Sequence, residues 1–378
     1  MRIFQVIENS TNTSIPGNKT WYRNLYEPLI ELGHDVVLFD ANEGRVAMSK
    51  NESTLRARFS QKLLDSFRKE HSKSPFSLFF AYLMDGMVDP YVIDEIKKTG
   101  VLTCNFSCNN AHQFYLVDEL SPHFDFNLHA EKLVKEKFLE IGANPLWWPM
   151  ASNPTYFKPL NLPRHISASF VGANYARRSL YISYLLENEI DTQVFGPGWI
   201  YESKSQFHTL ARRALLMSNT FFSGDIQKQS AASAKLADFD FKRLLAARFP
   251  KNIHHPVSDE ELIALYSKSH ISLGFLEVFD NHDPSKTIIQ HLHLREFEAP
   301  MSGALYCTGY TDELAEMFTP DKEILTYNSQ YELLDKVKYY LTHPIEAEKV
   351  RNNGRKRALL EHTYHIRYQY LFKTLGLS

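Results

Sequence analysis

The chain has 378 residues, of which 44% are hydrophobic and 23% are charged. This balance excludes an intrinsically disordered protein. The formal net charge is −2, so no overall field would draw the chain onto nucleic acid or an anionic membrane. The length predicts two domains of ordinary size or one large domain.

Three cysteines are present, Cys104, Cys108 and Cys307. They are too few for a disulfide framework, and a zinc site would need further ligands. The first ten residues, MRIFQVIENS, lack the apolar core of a signal peptide. No apolar run approaches the ~20 residues of a transmembrane helix. We therefore expect a cytoplasmic protein without bound metal.

Residues 1–150 alternate between strand and helix patterns. Strands are predicted at RIFQVI (2–7), DVVLFD (35–40), SLFFAYL (77–83), VLTCNFS (101–107), FDFNLHA (124–130) and LWWPM (146–150). Helices are predicted at TWYRNLYEPLIEL (20–32), LRARFSQKLLDSFRKE (55–70), DPYVIDEIKKTG (89–100) and EKLVKEKFLEIGA (131–143). Pro28 should kink the first of these helices, and Gly33 should end it. Such alternation is typical of a parallel sheet flanked by helices.

The stretch ASNPTYFKPLNLPR (151–164) carries three prolines and no periodicity, which indicates a domain boundary. The alternation then restarts. Strands are predicted at ISASFVGA (166–173), DTQVFGPG (191–198), ISLGFLEV (271–278), ALYCTG (304–309) and EILTY (323–327). Helices are predicted at 177–190, 260–270, 295–303, 311–318 and 331–344. We assign an α/β fold with domains at 1–155 and 156–360, followed by a C-terminal helix at 361–378.

A basic insert, about residues 204–251, interrupts the second domain. It holds nine Lys or Arg residues against three Asp residues, and FHTLARRALL and FKRLLAARF within it are amphipathic. Two interpretations are open. The insert forms covering helices over a core, or it offers a surface to an anionic acceptor or a lipid interface.

The turn after the strand ISASFVGA has the composition of a phosphate site, because ligands of doubly wound sheets bind beyond the carboxyl ends of strands. Gly172 allows close approach to the backbone, Asn174 follows it, and Arg177 or Arg178 can donate a charge-assisted fork. The alternative is an ordinary turn with solvated arginines. No GxGxxG or GxxxxGK[ST] motif follows any strand, which disfavours dinucleotide oxidoreductases and P-loop proteins.

The segment HLHLREFEAPMSGALYC (291–307) places charges directly before an apolar strand. Arg295 and Glu298 are three residues apart and share one helix face. A carboxylate there can accept two hydrogen bonds from a ribose, and an arginine can meet a phosphate. The alternative is an intrahelical Arg–Glu pair worth a few tenths of a kcal/mol.

Short motifs recur in order from residue 295 to about 372. They are Arg295-x-Phe297-Glu298, Gly303, Glu323-Ile324, Leu341-x-x-Pro344, Gly354-Arg355, Glu361-His362-Thr363-Tyr364 and Arg367. In these motifs the chain resembles glycosyltransferases of the spore-maturation CgeB type. The resemblance is fair at Phe170-Val171-Gly172 and Phe195-Gly196, and weaker in the first domain. It implies the GT-B fold, in which two Rossmann-like domains with parallel sheets face a cleft and a C-terminal helix crosses back.

The resemblance also implies roles in donor binding. Glu298 becomes the ribose ligand, and Arg295 and Arg177 or Arg178 become diphosphate candidates. Phe195 and Gly196, with Gln193 and Trp199, are expected to border the nucleobase or its neighbouring strand. Retaining relatives place a second glutamate eight residues before the ribose glutamate, where this chain has Gln290. The stereochemical course is therefore open.

The histidines at the mouth of this site have three interpretations. His291 and His293 could neutralise a leaving phosphate, form a His-x-His metal pair, or be packed or surface residues. In the first domain His112 is the preferred base, since imidazole titrates near neutral pH, and Asp85 is the second candidate. Relatives often carry a carboxylate after the strand VLTCNFS, where Asn109 and Asn110 stand here.

The function predicted on this basis is transfer of a sugar from a nucleotide-diphosphate sugar, UDP in preference to GDP, to an acceptor hydroxyl. Neither metal nor cofactor beyond the donor is expected. The acceptor could be a glycan, a lipid-linked glycan or a small molecule, or modified nucleic acid reached through the basic insert, and peripheral membrane location is open. The alternatives are a UDP-sugar epimerase and a non-catalytic nucleotide-sugar-binding protein of the same fold.

Overall fold

A computed structural model describes residues 1–9, 19–200, 214, 217, 226–280 and 287–377. The first domain contains a six-stranded, fully parallel sheet in the order β2-β1-β3-β4-β5-β6. Its strands are β1 (Arg2–Ile7), β2 (Asp35–Asp40), β3 (Leu78–Ala81), β4 (Leu102–Ser107), β5 (Phe126–His129) and β6 (Pro145–Trp147). Strands β1 and β3 are almost wholly buried, as expected for apolar runs covered on both faces.

Helices pack on both sides of this sheet. They are α1 (Glu27–Glu31), α2 (Asn42–Lys50), α3 (Ser53–Lys73), α4 (Tyr91–Lys97), α5 (Asn110–Gln113) and α6 (Lys135–Glu140). A π-helical turn, Tyr22–Tyr26, precedes α1, and Pro28 lies in the first turn of α1. The predicted kink is thus a change of helix type, because a proline lacks the N–H that would continue the α-helical ladder. Gly33 ends this helix with φ +82°, as predicted.

The second domain contains a six-stranded parallel sheet in the order β14-β13-β10-β7-β8-β9. The strands of this domain are β7 (Ile166–Val171), β8 (Thr192–Phe195), β9 (Ile253–His254), β10 (Ser269–Leu273), β11 (Glu277–Phe279), β12 (Ile288–Gln290), β13 (Tyr306–Gly309) and β14 (Leu325–Tyr327). The segment 271–278 was wrongly predicted as one strand. The chain leaves the sheet after Gly274, and β11 pairs antiparallel with β12 in a separate ribbon.

The helices described in the second part of the chain follow the same alternation. They are α7 (Arg178–Glu187), α8 (Ile226–Arg248), α9 (Asp259–Lys268), α10 (Arg295–Met301), α11 (Asp312–Met317), α12 (Gln330–Thr342), α13 (Pro344–Glu361) and α14 (Tyr364–Thr374). In α8, Phe239 and Leu245 are buried, which favours a covering role for the C-terminal part of the basic insert. Residues 204–225 of that insert, apart from 214 and 217, lie outside the described residues.

Helix α14 crosses back to the first domain, as predicted for the fold. The Tyr368 hydroxyl donates to the Leu25 carbonyl at 2.7 Å, and the Arg367 guanidinium donates to the Pro149 carbonyl at 2.9 Å. Trp148 is fully buried beneath the helix and donates its indole N–H to the Arg367 carbonyl at 2.9 Å. One apolar cluster thus joins both domains through this helix.

Candidate functional site

A cleft of about 540 Å³ lies between the two domains, beyond the carboxyl end of β7. The first domain contributes Thr20, Arg23 and Asn24 to its lining. Five predicted donor residues of the second domain also line it: Gly172, Arg178, Gly196, Arg295 and Glu298. The cleft therefore brings together residues that are 126 positions apart in the chain (298 − 172), as the carboxyl-end rule for doubly wound sheets predicts.

Two glycines form the floor of the cleft. Gly196 has φ +147°, and a Cβ added to it would lie 2.2 Å from the Gly172 carbonyl oxygen. The same oxygen accepts a hydrogen bond from the buried indole N–H of Trp199 at 2.7 Å. The ends of β7 and β8 can approach this closely because Gly196 has no side chain, whereas a Cβ on Gly172 would meet the Phe170 ring at 2.7 Å.

The structure distinguishes the two arginines of the turn. Arg178 is buried, donates to the carbonyls of Ala173 and Phe275 at 3.0 and 3.1 Å and also donates to the Tyr175 hydroxyl. Arg177 instead makes a bidentate pair with Glu277 and does not belong to the described lining of the cleft. Of the two arginines, Arg178 is therefore the one whose side chain lines the cleft.

Asn174 and Phe195 lie beside the cleft rather than in its described lining. The Asn174 amide donates to the Gly198 carbonyl at 3.2 Å, which holds the loop after β8. The Phe195 ring stacks on His254 with centroids 4.6 Å apart. Pro256 and Val257 line the wall of the cleft next to this loop. The geometry therefore favours them over Phe195 as neighbours of a nucleobase.

Helix α10 presents Arg295 and Glu298 to the cleft. Glu298 is 6% exposed, and no described residue donates a hydrogen bond to its carboxylate or lies within ion-pair distance of it. The alternative of a close intrahelical Arg295–Glu298 pair is thus not what the structure shows. Burial raises the pKa of Glu298 to about 7, although Arg295 acts to lower it. A buried carboxyl without a partner in a cleft is a candidate ligand-binding group.

Glu296, on the same helix, has a structural role. Its carboxylate accepts the His293 backbone N–H at 2.6 Å and the hydroxyls of Tyr306 and Thr308 at 3.1 and 3.2 Å. These bonds tie the start of α10 to β13. They explain why charge precedes an apolar strand: one carboxylate anchors the helix and the other faces the cleft.

Three predicted histidines meet at the boundary between the domains. The His291 ring lies 4.3 Å from that of His293 and 5.0 Å from that of His112, between centroids. The Tyr175 hydroxyl lies 3.3 Å from His293 Nε2 and connects this cluster to the cleft. Burial lowers the pKa of His112 and His293 and lowers that of His291 to about 3, so the three imidazoles are neutral at pH 7.

The metal-pair interpretation of His291 and His293 gains no support from the geometry. Among the described residues, no three or more His, Cys, Asp or Glu side chains are arranged to hold a metal ion. In the same part of the chain, no helix is both long and apolar enough to cross a membrane.

Asp85 lies at the end of β3, but its carboxylate accepts the backbone N–H groups of Glu119 and Leu120 at 3.0 and 2.8 Å. Burial raises its pKa to about 7. Neither Asp85 nor His112 belongs to the described lining of the cleft. The His112 ring packs against that of His291 in the second domain, with centroids 5.0 Å apart, so His112 is the candidate base that lies at the domain boundary. Gln290 lies exposed on β12, outside that lining as well.

Several cleft residues were not predicted individually. Arg23, in the π-helical turn after β1, pairs with Asp259 at 2.6 Å and Glu260 at 3.1 Å across the cleft. The carboxyl-end rule applied to β1 would have found it. Glu8, which follows β1, pairs with Arg45 at 2.8 Å. The loop at 12–19, which comes next, lies outside the described residues except for Lys19.

Comparison with solved structures then decides the fold. A sucrose-phosphate synthase from Thermosynechococcus elongatus matches with a TM-score of 0.58 and 13% identity, over 100% of this chain and 99% of that one. A glycosyltransferase from Rickettsia africae ESF-5 matches with a TM-score of 0.59 and 12% identity, over 99% and 97%. The HepE protein of Anabaena, solved in complex with UDP, matches with a TM-score of 0.55 and 8% identity, over 100% of both chains.

The chain has the GT-B fold. Residues 228–373 also match the model of a protein family described as glycosyl transferase-like. Comparison with curated protein sequences gives no match. The family match supports a transferase enzyme of the glycosyltransferase class, which confirms that prediction. The CgeB type stays a prediction.

Proposed function

We propose that this GT-B protein transfers a sugar from a UDP-sugar to an acceptor hydroxyl without a metal ion. One observation carries the proposal. The buried carboxylate of Glu298, which has no partner among the described residues, lies in the same cleft as Arg178, Arg295 and the glycine floor. A carboxylate that can accept two hydroxyl hydrogen bonds, next to two guanidinium groups, matches the chemistry of a ribose diphosphate.

Metal independence is proposed from the charges in the cleft. In transfer from a nucleotide-diphosphate sugar, the leaving group gains negative charge, and preorganised cations stabilise it. Arg178 and Arg295 supply two such charges, and the neutral imidazoles of His291 and His293 add hydrogen-bonding capacity beside them. Together these groups would perform the role that a divalent cation has in other transferases.

We propose uridine as the nucleoside of the donor because HepE, a protein with the same fold, was solved in complex with UDP and with UDP-glucose. The acceptor would enter from the side of the first domain, where His112 lies at the boundary. His112 would take the hydroxyl proton, because burial lowers its pKa and keeps the imidazole neutral.

The test is a thermal-shift and calorimetric titration with UDP, GDP, CDP, ADP and dTDP, with and without magnesium. UDP should stabilise the wild type by mass action, independently of magnesium. Glu298→Gln should weaken UDP binding by roughly 1–3 kcal/mol, the cost of an impaired buried partner. The matched control, Glu346→Gln, changes an exposed glutamate of α13 and should bind UDP like the wild type.

Two outcomes would contradict the proposal. If no diphosphate binds, the cleft is not a donor site. If Glu298→Gln binds UDP with unchanged affinity, its carboxylate does not hold the ribose. Product analysis with a UDP-sugar then separates transfer or donor hydrolysis from epimerisation, since an epimerase would return an intact UDP-sugar.

A further inference from the structure

A second buried carboxyl lies at the domain boundary, outside the lining of the donor cleft. Glu131 follows β5 and is 1% exposed. One of its oxygens accepts the Asn110 N–H at 3.3 Å, whereas Oε1 has no hydrogen-bond partner among the described residues. Oε1 faces His291 Nδ1 of the other domain at 3.6 Å. Burying a half-satisfied carboxyl costs stability, so its presence between two domains indicates a functional role.

The histidines beside Glu131 also carry unsatisfied atoms. His291 Nδ1 lies 3.0 Å from the Leu292 carbonyl, which can only accept, so this nitrogen carries the proton. His291 Nε2 is then a buried acceptor without a partner in the described structure, and His112 Nδ1 likewise has none there. Glu131, His291 and His112 thus form a contiguous set across the domain boundary, and each has one buried polar atom without a hydrogen-bond partner among the described residues.

The three groups are uncharged at neutral pH. Burial raises the pKa of Glu131 to about 8, and Glu313 on α11 adds to this effect. Burial lowers the pKa of His291 to about 3. Burial also lowers the pKa of His112, whereas the negative charge of Asp280 acts to raise it.

Ionisation of Glu131 favours a positive charge on either histidine, whereas positive charges on His291 and His112 disfavour each other. A positive charge on an imidazole stabilises a carboxylate beside it, and the reverse is equally true. The positive charge of Arg178 disfavours a positive charge on His291. Within the described residues, Glu131 is the one carboxylate within 4.0 Å of a His291 ring nitrogen and is therefore the group placed to offset such a charge.

We propose that Glu131 is a positioning residue: acting through His291, it offsets the positive charge that His112 gains when it takes the proton of the acceptor hydroxyl. In this step the acceptor oxygen bonds to the anomeric carbon, and its O–H bond breaks with the proton passing to His112. The bond from the anomeric carbon to the diphosphate breaks, and the diphosphate leaves with the electron pair. The inference rests on the proposed function, since it takes His112 as the base.

The experiment compares wild type, Glu131→Gln and Glu136→Gln, in which the control residue is exposed on α6. The probe is UDP-glucose with water as acceptor, and UDP release is followed from pH 6.5 to 9. At pH 8.5 we expect Glu131→Gln to lower kcat at least tenfold, with KM and the UDP dissociation constant within twofold. At pH 6.5, where Glu131 of the wild type is protonated, the difference should shrink below threefold.

Stability separates this role from a merely structural one. A carboxyl whose pKa is raised on folding contributes stability below its unfolded pKa and loses it as pH rises through the folded value. Glu131→Gln removes this loss, so its melting temperature should equal or exceed that of the wild type, increasingly so toward pH 8. A structural role would lower the melting temperature at every pH.

An NMR measurement tests the contact independently of turnover. In ¹³C-histidine-labelled protein, the His291 and His112 ring resonances should show an inflection near pH 8 that Glu131→Gln abolishes and Glu136→Gln retains. Absence of this inflection in the wild type, or identical pH profiles of kcat for wild type and Glu131→Gln, would overturn the inference. Failure of the wild type to bind UDP would instead overturn the proposed function, and the NMR result would still decide the Glu131–His291 contact.

Discussion

Replacing Gly196 by alanine should damage the floor of the cleft in a way that the structure quantifies. The new Cβ would lie 2.2 Å from the Gly172 carbonyl oxygen, whereas ordinary contacts begin at 3.4 Å. The ends of β7 and β8 would have to separate by about 1.2 Å (3.4 − 2.2). A non-glycine residue at φ +147° adds strain of roughly 1–3 kcal/mol. Separation also endangers the Trp199 hydrogen bond, whose loss in a buried site costs about 1–3 kcal/mol.

The matched control is Gly198→Ala in the same loop. Gly198 also has a positive φ, +79°, but its nearest neighbour beyond the loop would be Asn174 Cβ at 3.5 Å, an ordinary contact. This variant should lose about 1–2 kcal/mol from backbone strain alone and bind UDP like the wild type. Gly196→Ala should lose about 2–5 kcal/mol of stability and at least tenfold in UDP affinity, because the substitution moves the floor of the proposed diphosphate site.

The assays are urea denaturation followed by tryptophan fluorescence, and calorimetric titration with UDP. Equal losses of stability in the two variants would show that φ strain, and not the contact between Gly196 and Gly172, decides the effect. Unchanged UDP affinity in a folded Gly196→Ala protein would refute the placement of the diphosphate over the two glycines.

Two further predictions follow from the charges of the cleft. Arg178→Lys should weaken UDP binding at least tenfold and lower stability by about 1–3 kcal/mol, because an ammonium cannot reproduce its three hydrogen bonds. Arg177→Lys should leave UDP affinity within twofold, since that side chain pairs with Glu277; similar affinity losses in both variants would contradict the assignment. UDP-glucose affinity should rise from pH 6 to about pH 7 and then level off, because the pKa of Glu298 is raised to about 7 and only the ionised carboxylate accepts both ribose hydroxyls. Glu298→Gln should remove this rise in a calorimetric pH series, and a rise that persists in the variant would assign it to another group.

Motif chemistry and the strand-end rule predicted several residues that line the cleft. Gly172, Arg295 and Glu298 were all expected beyond strand ends or at a helix start, and all three line the cleft. These positions depend on local geometry: a parallel strand ends where its apolar run ends, and the turn that follows lies at the ligand-binding edge.

Other assignments required side-chain contacts that no local pattern encodes. Arg177 and Arg178 are adjacent and chemically identical, yet Glu277 binds the first and the second faces the cleft. Asp85 follows a strand as a catalytic residue would, yet its carboxylate accepts two backbone N–H groups. In each case a partner distant in sequence decides the role.

The sequence alone determined the class of fold. Strand and helix patterns alternate in residues 1–150 and again after residue 164, and such alternation is typical of two parallel sheets flanked by helices. The sequence also predicted glycine, arginine and glutamate residues that line the cleft. Only the tertiary structure decided which residues meet across the domain boundary. Glu131 and His291 are 160 positions apart (291 − 131), and Glu131 Oε1 lies 3.6 Å from His291 Nδ1. Such contacts depend on how two separately folded sheets and a crossing helix pack, and packing is a property of the whole chain rather than of any segment.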